Sequence, residues 1–378
     1  MIRIDEIYNN TFWPWLKQHR SGTRMFYCDP PGHTDPEHLF NHGYHDPLEN
    51  DYVFFHDQEP VDLELYHPLF DHVSKRGPEG LGWGLVDGKW FQYFDTPTHV
   101  GHIVVSERGQ NVDELCKKYQ WTPHYYFYHG WACQDWFRGY DKTFLIPRAR
   151  DRTPTQTFMS PNRIVAGKRD HRVLFLYNVF KNQLEHNHIS APRICQYENV
   201  DISTIATKYC NTYPDIEQVL NQAKLPRLFV GEETQQMTSC WLSNFNEAAD
   251  SLVYVPTETV YFGSRTHITE KTFKAIALEM PFVLVAPAGS LAYMREYGFK
   301  TFADVFDESY DEETNDRLRL EKIVKLLKDL DSLSVKERQQ IHQACLPAVE
   351  HNYNHFYRGG LTNVLWPELI NMLNGLKS

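Results

Sequence analysis

Thr269-Glu270-Lys271 stands directly before the apolar-periodic run that includes Phe273, Ile276 and Leu278. A helix opening at that point leaves backbone N–H groups unpaired and points the positive end of its dipole at whatever lies in front, which suits a phosphate. Lys271 would add a point charge to that anion, and ionised Glu270 can accept hydrogen bonds from two vicinal ribose hydroxyls. The plainer reading is a threonine cap with a solvated Glu-Lys pair. A second cationic stretch runs from Asn162-Arg163 through Lys168-Arg169-Asp170-His171-Arg172. A helix beginning at His171-Arg172 would again present its N-terminus, now with guanidinium forks that match a diphosphate; the alternative is a solvated basic loop.

Three more groups carry possible chemistry. Phe54-Phe55-His56-Asp57-Gln58-Glu59-Pro60 places two carboxylates just after an apolar strand. Glu59 can serve as a general base removing a hydroxyl proton, with Asp57 orienting it or binding the incoming hydroxyls; either could instead cap the next turn. His129-Gly130-Trp131-Ala132 reads as a post-strand loop in which Gly130 lets a backbone N–H approach a ligand. His129 belongs to that loop, and Trp131, Trp136 and Arg138 offer faces for a sugar, unless they serve as core. His33, His38, His42 and His45 fall within thirteen residues beside Asp35, Asp46 and Glu49. Such a set can hold a divalent ion, although no HExxH accompanies it, and the alternative is a run of surface histidines.

These residues need elements to position them. Residues 51–56, 101–106 and 124–129 read as short strands, with a helix over 110–119. Arg148 to Gln156 is polar and reads as a connector, with a boundary near 152. Beyond it come a strand at 157–161, a helix from 171 to about 184, strands at 227–230, 251–255 and 281–285, and a helix at 270–278. The last strand-helix-strand run makes a βαβ unit. The alternation predicts an α/β chain of two doubly wound, Rossmann-like domains, 1–152 and 153–346, whose ligands gather at the carboxyl ends of the strands. Residues 318–330 carry a helical stripe, and residues 347–378 are expected to return as a helical segment across the first domain.

Composition narrows the class. The 378 residues are 42% hydrophobic and 14% aromatic, enough for large cores and unlike a disordered chain. Lys and Arg number 38 against 49 Asp and Glu, a net charge of −11, which disfavours a broad nucleic-acid-binding field while allowing a local basic groove. Seven cysteines without a CxxC pair predict reduced thiols in the cytoplasm. With no leader-like N-terminus and no long apolar run, a soluble intracellular protein without a membrane span is expected.

Residues 157–302 resemble the nucleotide-sugar-binding segment of GT-B glycosyltransferases, in particular the fucosyltransferase pattern of strand, Tyr-x-Thr-Glu-Lys, helix and Pro-rich strand. Here it reads His267-Ile268-Thr269-Glu270-Lys271, then Pro281-Phe282-Val283-Leu284-Val285 and Gly289-Ser290. The segment Tyr293–Phe302 is similar to tailed-phage proteins described as glycosyltransferases. The resemblance implies a GT-B-like fold with two Rossmann-like domains facing a cleft. It also implies an inverting, metal-independent transfer from a nucleotide sugar, which is a substrate, so that no cofactor is needed. Glu270 would bind the donor ribose, Lys271 and Arg172 its diphosphate with Arg163 assisting, and Glu59 would be the base. His267 replaces the family's tyrosine, so base or sugar specificity would differ. The acceptor would be a glycan, a small molecule or a modified nucleobase on DNA. Two other classes stay open: a metal-dependent hydrolase built on His33–His45 with Asp57 and Glu59, and a non-catalytic nucleotide-binding module.

Overall fold

The computed structural model describes residues 3–12, 14–15, 18, 24–27, 52–56, 58–64, 66–67, 82–86, 89–93, 100–143, 145–195, 198–229, 232 and 240–376. The chain forms two compact units, one of Met1–Asp135 with Thr362–Ser378, the other of Trp136–Leu361. Both are α/β.

In the first unit, β1 (Arg24–Tyr27), β2 (Tyr52–His56), β5 (Val100–Val105) and β6 (Thr122–Tyr125) form one parallel sheet in that spatial order, while β3 (Gly82–Val86) and β4 (Lys89–Tyr93) make a separate antiparallel pair. Ile103, Val104 and Val105 are buried on both faces, the reason this strand reads as a continuous apolar run. Helix α1 (Gln110–Tyr119) lays Val112 and Leu115 against Ile103 and Val105, with Val61, Tyr66 and Trp121 completing the cluster. The four strands follow one another in chain order. The reversal that a doubly wound sheet requires is not found among the described strands of this unit.

The second unit contains that reversal. Its central strand β7 (Gln156–Ser160) has β8 (Asn187–Ile189) on one side and β9 (Ser251–Tyr254) on the other, all parallel. Segment 282–285 extends the array through parallel bridges Tyr254–Phe282 and Thr257–Val285. The chain leaves β7 through α3 (His171–Lys181) to reach β8, and leaves β9 through α4 (Glu270–Ala277) to reach the outer segment. The carboxyl ends of β7 and β9 therefore flank the point where the winding direction changes, the place where open α/β sheets bind ligands. Among the described residues of the expected strand at 227–230, only Arg227 pairs, by an antiparallel bridge to Ala191.

The segment read as a connector is anchored within the second unit. Arg152 is buried and gives its guanidinium to the carbonyls of Pro147, Leu278 and Glu279, and Arg148 pairs with the Glu279 carboxylate. Burial lowers the Arg152 pKa to about 10. Polar composition reads as an interdomain connector; here Arg152 bonds the carbonyls just past α4, and Arg148 bonds the Glu279 side chain beside them. Helix α5 (Asp316–Asp331) carries the expected stripe, burying Leu320, Ile323, Val324, Leu327 and Leu330. Helix α6 (Val335–Tyr357) runs through Pro347 within the second unit, so the return expected from 347 occurs from Thr362 onward. No described helix is long and apolar enough to cross a membrane, and Cys116, Cys195, Cys210 and Cys345 are free thiols.

Candidate functional site

At the end of β7, Ser160 Oγ donates to the Val255 carbonyl at 2.8 Å, tying β7 to the exit of β9. Asn162 then joins three segments. Its N–H donates to Ser190 Oγ (2.7 Å), its Nδ2 to Ser160, and its Oδ1 accepts from Thr257 Oγ1 (2.8 Å). Ser190, just past β8, passes its own proton to Glu232 Oε1 at 3.1 Å, while Glu232 Oε2 accepts the Phe229 N–H. All of these groups are buried. Burial raises the Glu232 pKa against those hydrogen bonds and the nearby charges of half-buried Arg163 and of Lys274.

Both helix starts are tied to this edge through Glu258. Arg172 is 4% exposed; its NH1 donates to the Ile164 carbonyl (2.6 Å) and its NH2 to those of Thr257 (2.8 Å) and Glu258 (3.3 Å), while buried Nε has no hydrogen-bond partner among the described residues. Burial and the Arg169 charge lower its pKa to about 9. This guanidinium frames the loop between β9 and α4, so the fork expected to face a diphosphate is committed to main-chain carbonyls. His171 Nε2 also donates to the Glu258 carbonyl at 3.1 Å, and its ring stacks on Tyr261, with Arg319 lying 4.4 Å from the Tyr261 ring centroid. Burial and Arg172 hold the His171 imidazole well below its ordinary range, so it is neutral.

At the head of α4 the expected trio is assembled. Thr269, the N-cap residue, is buried and donates through both N–H and Oγ1 to the Glu258 carboxylate, as Thr272 Oγ1 does. Lys271 Nζ lies 3.0 Å from Glu270 Oε1, 3.0 Å from Thr269 Oγ1 and 3.1 Å from Thr259 Oγ1. Its side chain keeps a quarter of its surface exposed, against an eighth for Glu270. His267, two residues before the cap, is 1% exposed. The chain's own Glu258 thus accepts the hydrogen bonds offered at the helix start, while Lys271 and its partner Glu270 each keep part of their surface.

The first unit offers a different edge. Glu59 is half-buried in the bend after β2. Val61 beyond it donates its N–H to Glu107 Oε2 (2.6 Å) and accepts from Asn111 Nδ2 (2.8 Å) through its carbonyl. At the other end of the bend, His56 is buried, meets Tyr66 OH at 3.3 Å through Nδ1, and has its pKa lowered to about 4 by burial despite the Pro60 main chain and Asp62. Asp57 and the cluster of His33, His38, His42 and His45 lie outside the described residues. Among the described residues no group of three or more His, Cys, Asp or Glu side chains is arranged to hold a metal ion.

His129, Gly130 and Trp131 were expected in a loop. They occupy helix α2 (Tyr128–Trp136), where all three are buried. The final helix, Gly360–Gly375, accounts for this: Phe127 N–H donates to Glu368, Trp131 meets Trp366 edge to face, and Thr362 donates to Gln134. A Cβ at Gly130 would come within 3.0 Å of Phe127 and 3.2 Å of Leu365, so this glycine serves the approach of a helix. Trp136 is half-buried and Arg138 exposed.

Ser160, Ser190, Glu232, Thr257 and Glu258 did not stand out in the sequence. Glu258 had a signal, an acidic residue just after the apolar strand Ser251–Val255, the same pattern that singled out Glu59 after β2. Comparison of the chain with protein-family models, with curated proteins and with solved structures found no match.

Proposed function

We propose that the protein is a glycosyltransferase that moves a sugar from a nucleotide-sugar donor to an acceptor hydroxyl. The observation that carries the reading is the reversal of winding between β7 and β9, with Thr269, Glu270 and Lys271 heading the helix that follows it. Lys271 is the cation for the donor diphosphate and Glu270 the acceptor for its ribose hydroxyls, with Arg163 near the end of β7 as a further cation. Arg172 contributes by holding the loop between β9 and α4, and His267 by lining the approach to the N-cap. The GT-B arrangement, inversion at the sugar, independence from metal and a cytoplasmic setting belong to the same proposal, as does Glu59 of the first unit in the role of general base. The acceptor is a glycan, a small molecule or a modified nucleobase.

A thermal-shift series with nucleoside diphosphates and nucleotide sugars tests the reading. At 100 times its dissociation constant the cognate nucleotide stabilises the fold by about 2.7 kcal/mol. No shift with any nucleotide sinks it. Binding without release of nucleoside diphosphate across an acceptor panel would leave a nucleotide-binding module. Transfer should survive EDTA; loss reversed by zinc or manganese would favour the hydrolase built on His33–His45.

A further inference from the structure

Glu258 is wholly buried, and among the described residues every hydrogen bond to its carboxylate comes from the first turn of α4 or its cap. Oε1 accepts the Thr269 N–H at 3.2 Å and Thr272 Oγ1 at 2.6 Å, and Oε2 accepts Thr269 Oγ1 at 2.6 Å. Its N–H donates to the Val285 carbonyl at 3.0 Å, and its own carbonyl receives His171 and Arg172 from the start of α3. One residue therefore ties together the outer segment of the sheet and the starts of two helices. Three donors converge on this carboxylate, so the group must be acceptor-only; a glutamine would set an NH₂ against at least one of them.

The bond from Thr269 Oγ1 has a further consequence. Because that hydroxyl gives its proton to Glu258, only its lone pairs are left for Lys271 Nζ, 3.0 Å away. We infer that Glu258 is a positioning residue for ligand binding, acting through Thr269 to hold the Lys271 ammonium at the head of α4. The inference rests on the reading of Lys271 as a diphosphate ligand. Glu258 touches no substrate, and its effect must be relayed through Thr269.

A double-mutant cycle reads this directly, because groups acting in one chain are non-additive and independent structural damage adds. Binding of ADP, CDP, GDP and UDP, and of the matching nucleosides, is measured by calorimetry on the full chain. With the diphosphate that wild type binds best, Glu258→Gln should weaken affinity about tenfold, the worth of one well-placed charge-assisted hydrogen bond. In a Lys271→Ala background the same change should cost less than about twofold, and nucleoside affinity should be unaltered in both. Thr269→Val, which removes the relay and leaves Glu258 in place, should show the same coupling and serves where Glu258→Gln does not fold. Equal losses in both backgrounds, or no loss in either, overturn the inference while the nucleotide reading stands. Wild type that binds none of the four diphosphates overturns both.

Discussion

The carboxyl ends of the two parallel sheets are finished differently. In the second unit Ser160, Asn162, Ser190 and Thr257 are joined by hydrogen bonds below the surface, Glu258 accepts from Thr269 and Thr272, and Arg172 donates to three carbonyls. In the first unit a short bend is pinned by His56, Glu107 and Asn111 and leaves Gln58, Glu59 and Pro60 half-buried between the pins. A buried polar group with every bond committed keeps a frame in shape, whereas a group that retains surface can meet a ligand. The difference separates residues whose loss should be read as unfolding from those whose loss should be read as function.

The largest effect on function falls on the exposed side of that contrast. Glu59→Gln keeps the size of the side chain and removes the base, so kcat should fall by about 10²–10⁴-fold while the dissociation constant for the nucleotide sugar barely moves. Steady-state kinetics beside a binding titration checks this. Full activity in the variant would place the base elsewhere and remove the first unit's edge from the mechanism.

Arg172→Met sharpens the comparison from the buried side. It strands the Ile164 and Thr257 carbonyls, leaves that of Glu258 to His171 alone, and removes the buried cation near the Glu258 carboxylate. About 3 kcal/mol or more of stability should be lost in urea unfolding. A variant of unchanged stability that binds nucleotide poorly would return Arg172 to the ligand and blur the division.

How much of this was legible in the sequence follows the same line. Thr269-Glu270-Lys271 stood out because a helix start writes its chemistry in adjacent residues, and the strands at 251–254 and 156–160 showed as apolar runs bounded by polar loops. The frame did not stand out. Asn162, Ser190 and Thr257 meet only after the sheet forms, across separations of up to 95 residues. The stretch from Tyr125 to Trp131 misled because periodicity is silent when every side of an element is covered. Tyr128 to Asp135 are all buried, partly under a helix more than 200 residues later, so an aromatic run with no polar face read as a strand and loop. In the first unit the sequential strand order was equally hidden, since strand existence is a local property and strand neighbours are not.

Acid pH should act on the first unit through His56. Burial lowers its folded pKa to about 4 from an ordinary 6.5, so between those values the unfolded chain takes the proton first. The stability it contributes is complete above pH 6.5 and is lost as pH falls to 4, about 3 kcal/mol in all. His56→Gln should flatten this limb of a pH series of urea unfolding curves. An identical acid limb in both proteins would show that the pin on the Glu59 bend does not depend on a neutral imidazole.

The smallest expected effect is the most selective, because its sign changes with the ligand. Lys271 and Glu270 are paired at 3.0 Å with part of each side chain exposed, an arrangement worth roughly 0.5–1 kcal/mol. A phosphate approaching Lys271 must compete with that carboxylate. Glu270→Gln preserves the shape and removes the competing charge, so inorganic pyrophosphate should bind about twofold to fivefold more tightly. A nucleoside diphosphate gains the same relief but loses a charged acceptor for its ribose hydroxyls, a loss of about tenfold, so its affinity should fall. General damage to the site cannot move the two ligands in opposite directions. If calorimetry shows both weakened, Glu270 is not what restrains Lys271. If both tighten, the ribose is held by some other group, and the accessible pair at the head of α4 recognises phosphate alone.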